Sequence, residues 1–241
     1  MTRRAVLFDI GGPLDTEVTL ERELDKAIRH ELSVADLKVD DEGYARACRF
    51  AVEAFAPNAY QAIIWRVTSH DVALSRKIYD AIWHRTYEAA SFELRPGMAE
   101  LLSELHERGV RLGLAANQRP AALARLDGAG IGRFFHHREV SGTHSFSKPD
   151  PRLFLRVCAD LGVDPTECVM VGDRIDNDIA PARALSMRNV LLRTGRHRWQ
   201  QARSWQEDPD VEVANAAELR EAVLLCSRRC DDGVRLATSK K

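Results

Sequence analysis

Apolar residues follow two different patterns along this chain. From about residue 16 to residue 92 they recur every three or four positions. Leu20, Leu24, Ala27, Ile28 and Leu32 form one stripe, Tyr44, Cys48, Ala51, Val52 and Phe55 a second, and Ile78, Ile82 and Trp83 a third. Tyr60, Ile63, Ile64 and Val67, after Pro57, add a shorter helix, so the block reads as an all-helical bundle of its own. Elsewhere short continuous apolar runs alternate with helical stretches. Residues 5–8, 110–116, 168–171 and 189–192 read as buried strands, with 139–141 a weaker candidate. Residues 98–105, 121–127, 151–161, 179–185 and 216–225 read as helices, helped by Gly109 as a stop and Pro151 at a first turn. Strands alternating with helices predict an α/β fold with a parallel sheet and right-handed crossovers. The polar stretch 227–241 has no periodicity and predicts a disordered tail.

The strands end in residues that can do chemistry. Ala5-Val-Leu-Phe8 stops at Asp9, and Gly11, Gly12 and Pro13 follow as a tight turn. In open parallel sheets ligands bind just outside such strand ends, where a carboxylate can serve as a nucleophile or a metal ligand. Alone, Asp9 reads first as a turn or cap residue. Ala116 and Asn117 end the second strand, and Gln118 and Arg119 beyond them are placed to face a substrate. Asp173 ends a third strand, with Asp176 and Asp178 one short loop later. Hard cations such as Mg²⁺ take oxygen ligands, so Asp9, Asp173 and Asp178 could share one; the same loop could instead cap a helix. Lys148, in Ser-Lys-Pro-Asp-Pro, is a cation in a proline-stiffened loop that could hold a phosphate's negative oxygens.

Composition narrows the class further. The chain has 241 residues, 45% of them apolar and 29% charged, which suits a globular protein with a sizeable core. A net charge of −1 gives no general attraction to nucleic acid or an anionic membrane and leaves a small molecule or a protein as the expected partner. Met-Thr-Arg-Arg leads into the first strand without an apolar leader, and no run approaches eighteen apolar residues, so the expected location is cytoplasmic. Five scattered cysteines, without paired spacing, indicate neither a disulfide framework nor a zinc site.

The order FDIGG, LGLAANQ, SKPDP and VGDRIDND resembles the four motifs of the haloacid dehalogenase-like superfamily, in sequence and over nearly the whole chain. That resemblance implies a Rossmann-like three-layer core over residues 1–15 and 93–226, with residues 16–92 as a helical cap. It also implies Mg²⁺, a small phosphorylated metabolite as substrate, and an aspartyl-phosphate formed on Asp9. Lys148 matches the phosphate-holding lysine, Asp173 the magnesium carboxylate, and Asp178 the second acidic position of the last motif. The acidic pattern of that motif points to phosphoryl transfer rather than dehalogenation, and no lysine is placed for phosphonatase chemistry.

Two polar positions of the family are missing. The first motif resembles Asp-x-Asp-Gly-Thr, whose second Asp protonates the leaving group and then activates water; here that residue is Gly11, followed after Gly12 by Pro13. Gly11 can still offer its backbone carbonyl to a metal, and it cannot move a proton. A Ser or Thr expected at the second motif, where it bonds the phosphate, is Ala116. General acid–base help is worth roughly 10²–10⁴ in rate, so substrates with good leaving groups should suffer least. Asp15 or a cap histidine (His30, His70 or His84) could replace the missing acid, although a gap that brings Asp15 into the following Asp-Thr-Glu register makes it structural, which is the preferred reading. Trp65, Arg66, His70, Trp83, His84 and Arg85 are aromatic or basic residues with which a cap could touch substrate. The alternative function is a weak or inactive relative that binds a phosphorylated ligand or a protein partner.

Overall fold

The computed structural model describes residues 4–89 and 91–227, and its chain order explains how distant motifs meet. The first strand, β1 (Ala5–Phe8), is wholly buried because it lies in mid-sheet, between β2 (Arg111–Leu114) and β3 (Cys168–Gly172). The strands β4 (Arg188–Leu192) and β5 (Val211–Val213) extend the sheet in the order β2-β1-β3-β4-β5, all pairs parallel. In register, Phe8 stands beside both Leu114 and Val171, so three strand ends reach one edge together.

Alternation along β1 divides the core. Val6 and Phe8 face the layer that holds α5 (Met98–Glu107) and α9 (Ala216–Cys226), with Leu101, Leu105, Leu219 and Val223 packed beneath them. Ala5 and Leu7 face Phe154, Val157 and Leu161 of α7 (Pro151–Leu161). Asp150 caps that helix, Pro151 opens it, and Gly162 ends it in a left-handed conformation. This is the α/β fold expected from the pattern, in the three-layer arrangement that the resemblance implies.

Between β1 and α5 the chain forms α1 (Val18–Val34), α2 (Asp41–Glu53), α3 (Ala59–Val67) and α4 (Val72–Ala89). Their facing stripes make a separate cluster containing Ile28, Tyr44, Ala51, Ile63 and Ile82. Asp40 and Asn58 cap α2 and α3 by accepting backbone N–H groups. Phe55 differs from its expected place on the α2 stripe. It follows the helix at φ 52° and packs against Ile175, Ile179 and Leu191 of the sheet domain. A left-handed non-glycine residue costs roughly 1–2 kcal/mol. Burying a phenylalanine ring returns roughly 1.5–3 kcal/mol, enough to hold the turn.

Two further expectations change, and one strand was not expected. Residues 139–141 are not a strand: Val140 is extended, and Ser141–Thr143 coils into one tight turn. The helix expected over 179–185 begins earlier, as a wide turn Ile175–Ile179 that runs into α8 (Ala180–Ala184). β5, three residues long with Glu212 exposed, carries too little apolar pattern to be read in advance. The tail expected over 227–241 lies outside the described residues from 228 onward, as does Cys230. Cys158 and Cys168 are free thiols with their sulfurs 3.6 Å apart. No helix among the described residues is long and apolar enough to cross a membrane.

Candidate active site

The sheet edge gathers the strand-end residues around one lysine. Asp9 leaves β1 with its N–H donating to the Val171 carbonyl at 2.9 Å, and its Oδ1 accepts the N–H of Ile10 at 2.8 Å. Asp9 Oδ2 is left 3.0 Å from Lys148 Nζ. The same ammonium donates to Asp178 Oδ1 at 2.6 Å. The Lys148 side chain is 1% exposed and that of Asp178 is 0% exposed, so the pair operates out of water.

Glycines make room for these carboxylates. Gly12 has φ 80°, and a Cβ there would stand 2.6 Å from Asp173 Cγ. A Cβ on Gly172 would stand 2.3 Å from Asp178 Cγ. Asp178 is then fixed by the N–H of Arg174, which donates to its Oδ2 at 3.0 Å. Arg174 is itself paired to Asp176 at 2.6 Å, and Gln200 donates to the same carboxylate at 3.0 Å.

Crowding and burial set the electrostatics. Burial, reinforced by Asp178 and Asp9, holds the Asp173 carboxyl well above the usual range. Burial also pushes Asp178 up to about 6, although Lys148 pulls it down. For Lys148, burial works against the charge, and Asp178 and Asp9 outweigh it, so its pKa is raised. One ammonium thus pairs with two of the three carboxylates, a set that favours a further cation. Oxygens of Asp9, Asp173 and Asp178 lie within 4.8 Å of one another, and an all-oxygen set suits a hard divalent ion. The residues present therefore fit a metal. Both oxygens of Asp178 already accept a hydrogen bond, each with a lone pair remaining.

These residues open into a cleft of about 430 Å³ between the sheet edge and the helical insertion. Asp9, Gly11, Asn117, Gln118, Arg119, Lys148 and Asp173 line it. Ala116 does not: it is fully buried beneath the edge, and its carbonyl accepts the N–H of Ser141 at 3.0 Å. Asn117 also has a second task, since its amide grips the Lys148 backbone with two hydrogen bonds.

From the insertion, Asn58, Tyr60 and Trp83 reach the cleft. Trp65, Arg66 and His70 do not; they are exposed, with Trp65 stacked on Phe50 and on His70. The side chains of His84 and Arg85 lie outside the described residues. His30 is exposed and away from the cleft. Asp15 is structural: its Oδ1 accepts the N–H groups of Glu17 and Glu93 at 3.0 and 3.1 Å and so clamps the two strands of chain that enter and leave the insertion.

Among the lining residues that the sequence does not single out are Glu17, Arg174 and His197. Burial, then Asp15 and Asp9, push the Glu17 carboxyl up to about 8. Arg174 stands within the last motif, a position that could have drawn attention to it. Glu17 and His197 carry no comparable signal, because one sits in a linker and the other in an irregular loop after β4.

Comparison with known proteins agrees with this geometry. The profile of the haloacid dehalogenase-like hydrolases matches residues 3–185. The chain is 28% identical over 229 residues to the glyceraldehyde 3-phosphate phosphatase of Methanopyrus kandleri, covering 91% of this chain and 97% of that one. It is 32% identical over 133 residues to the phosphoserine phosphatase of Thermus thermophilus, covering 55% of this chain and 52% of that one. Among solved structures, that of a predicted phosphoglycolate phosphatase from Haemophilus somnus superposes with a TM-score of 0.68 at 20% identity, over 92% of this chain and 99% of that one, and so shares the fold.

Proposed function

The chain belongs to the haloacid dehalogenase-like hydrolase family, and we propose that it is a Mg²⁺-dependent phosphohydrolase of small phosphorylated metabolites that works through an aspartyl-phosphate on Asp9. The observation that carries this reading is the placement of Lys148 Nζ, 3.0 Å from Asp9 Oδ2 and 2.6 Å from Asp178 Oδ1 at the carboxyl edge of the sheet. Lys148 pairs with Asp9 and offers positive charge where the phosphate oxygens would lie. Asp9, Asp173 and Asp178, with the Gly11 carbonyl, would hold the metal, which supplies further charge neutralisation to the phosphoryl group. Asp9 Oδ2 attacks phosphorus, the bond to the leaving oxygen breaks, and water later releases phosphate from the carboxyl.

Residues 16–92 act in this reading as a cap over the core formed by 1–15 and 93–226. Asn58, Tyr60 and Trp83 present a mixed polar and aromatic wall opposite Asp9, and Gln118 and Arg119 stand on the core side. The cleft volume suits a small metabolite. Relatives named for glyceraldehyde 3-phosphate and phosphoserine support a substrate of that size. A second reading, a binder of phosphorylated ligands, draws on Gly11 and on the burial of Ala116, which leaves no hydroxyl there. A pure binder has no use for a nucleophile held beside its lysine.

The test is phosphate release from a panel of acyl, aryl and sugar phosphates, with Mg²⁺ or EDTA, beside an Asp9→Asn variant. Release that disappears with EDTA and in the variant is expected. No Asp9-dependent release from any substrate would leave the binder reading.

A further inference from the structure

Glu17 occupies the space in which a side chain on residue 11 would stand. A Cβ built on Gly11 would lie 2.6 Å from Glu17 Oε1, 2.8 Å from its Cδ and 3.0 Å from its Oε2. A side chain at residue 11 and the Glu17 carboxylate as placed here cannot share that space, so Glu17 would have to turn away. Glu17 lines the cleft together with Asp9 and Lys148. Its backbone is fixed by φ 56° at the start of α1, by its N–H donating to Asp15 Oδ1, and by the Thr16 N–H donating to the Glu93 carbonyl at 2.9 Å.

We propose that Glu17 is the general acid and base of the hydrolysis, delivered from the start of the helical insertion into the place left by the missing side chain of residue 11. This rests on the phosphohydrolase reading and names the residue that completes it. Among the described residues that line the cleft, Asp9, Lys148 and Asp173 already have roles. Tyr60 and His197 stand in the cleft wall, and the three atoms nearest the space at Gly11 all belong to Glu17. A carboxyl that reaches that space from the linker meets the same reacting oxygens as one attached to residue 11.

In the first half-reaction Asp9 Oδ2 forms a bond to phosphorus, the bond from phosphorus to the leaving oxygen breaks, and that oxygen takes its electron pair and the proton of the Glu17 carboxyl. In the second, the Glu17 carboxylate takes a proton from water, the water oxygen bonds to phosphorus, and the bond to Asp9 breaks. Phosphate ester and water become alcohol and inorganic phosphate, with both carboxyl groups restored.

The experiment uses the full chain and compares glycerol phosphate, a poor leaving group, with p-nitrophenyl phosphate, a good one, in single turnover with Mg²⁺. Glu17→Gln keeps the size of the side chain and removes its proton; it is expected to slow the alkyl ester by about 10²-fold or more and the aryl ester clearly less. Gly11→Asp combined with Glu17→Ala should turn over the alkyl ester at least tenfold faster than Glu17→Ala alone. Equal losses on both esters in Glu17→Gln, or no gain in the double variant when circular dichroism shows all variants folded, would overturn the assignment and leave the phosphohydrolase standing. Absence of any Asp9-dependent release from the wild-type chain would overturn both.

Discussion

Asn117 holds the backbone of Lys148 from both sides. Its Nδ2 donates to the Lys148 carbonyl at 2.9 Å and its Oδ1 accepts the Lys148 N–H at 2.7 Å. The end of β2 thereby sets the height at which the lysine enters the site, thirty-one residues later in the chain. Two such hydrogen bonds contribute about 1–2 kcal/mol, a modest share of stability. Their larger effect is on position, since a displacement of about 1 Å at a reacting centre can cost about 10²-fold in rate. Asn117→Ala is expected to lower kcat by about 10–100-fold and the unfolding free energy by about 1–2 kcal/mol, read by steady-state kinetics and urea titration. A full loss of stability with unchanged kcat would show that the lysine is held by other means.

A divalent ion should stabilise the fold before it does any chemistry. Burial and mutual repulsion keep Asp173 from ionising readily, and a bound cation removes that cost. Mass action gives about 1.4 kcal/mol at ten times the dissociation constant. For a chain of this size that corresponds to a rise of about 3–6 °C in Tm. Mg²⁺ is expected to raise Tm by this amount, EDTA to reverse it, and Asp173→Asn to abolish it. Calorimetric scans with and without the metal check the point independently of any substrate.

The parts of the site that were legible in the sequence are those attached to regular elements. Asp9 and Asp173 could be placed because a buried strand has a clear apolar run and a clear end, and parallel pairing puts such ends on one edge. Lys148 followed from its proline-rich loop. Glu17 was hidden because its position depends on a left-handed backbone at 17 and on an Asp15 clamp, neither of which leaves a periodic trace. Phe55 was assigned to the wrong neighbours for the same reason: one left-handed residue turns its ring from the α2 stripe onto Ile175 and Leu191. Ala116 stands where the second motif expects a phosphate-binding hydroxyl, yet the edge folds over it and Ser141 takes its carbonyl.

His197 makes the stability of the fold depend on pH in a way that can be isolated. It lies in the cleft wall, its Nδ1 is buried with no hydrogen-bond partner among the described residues, and Arg174 and Arg196 stand nearby. Burial first, and then the Arg174 charge, depress its pKa to about 3, while Asp176 opposes them. The unfolded chain binds a proton at this residue below about pH 6.5, and the folded chain does not until about pH 3. Stability from the neutral ring is therefore complete above about pH 6.5 and is lost as pH falls towards 3. The limiting slope for one group is about 1.4 kcal/mol per pH unit. Between pH 7 and pH 5 the wild-type chain is expected to lose about 1–2 kcal/mol more than His197→Gln, measured by urea unfolding at both pH values in EDTA. Other groups that titrate in this range, Asp178 among them, are common to both proteins and cancel in the difference. Parallel pH profiles for the two would mean that the ring takes up its proton in the folded state, and that the cleft wall facing a bound phosphate is cationic at that point rather than neutral.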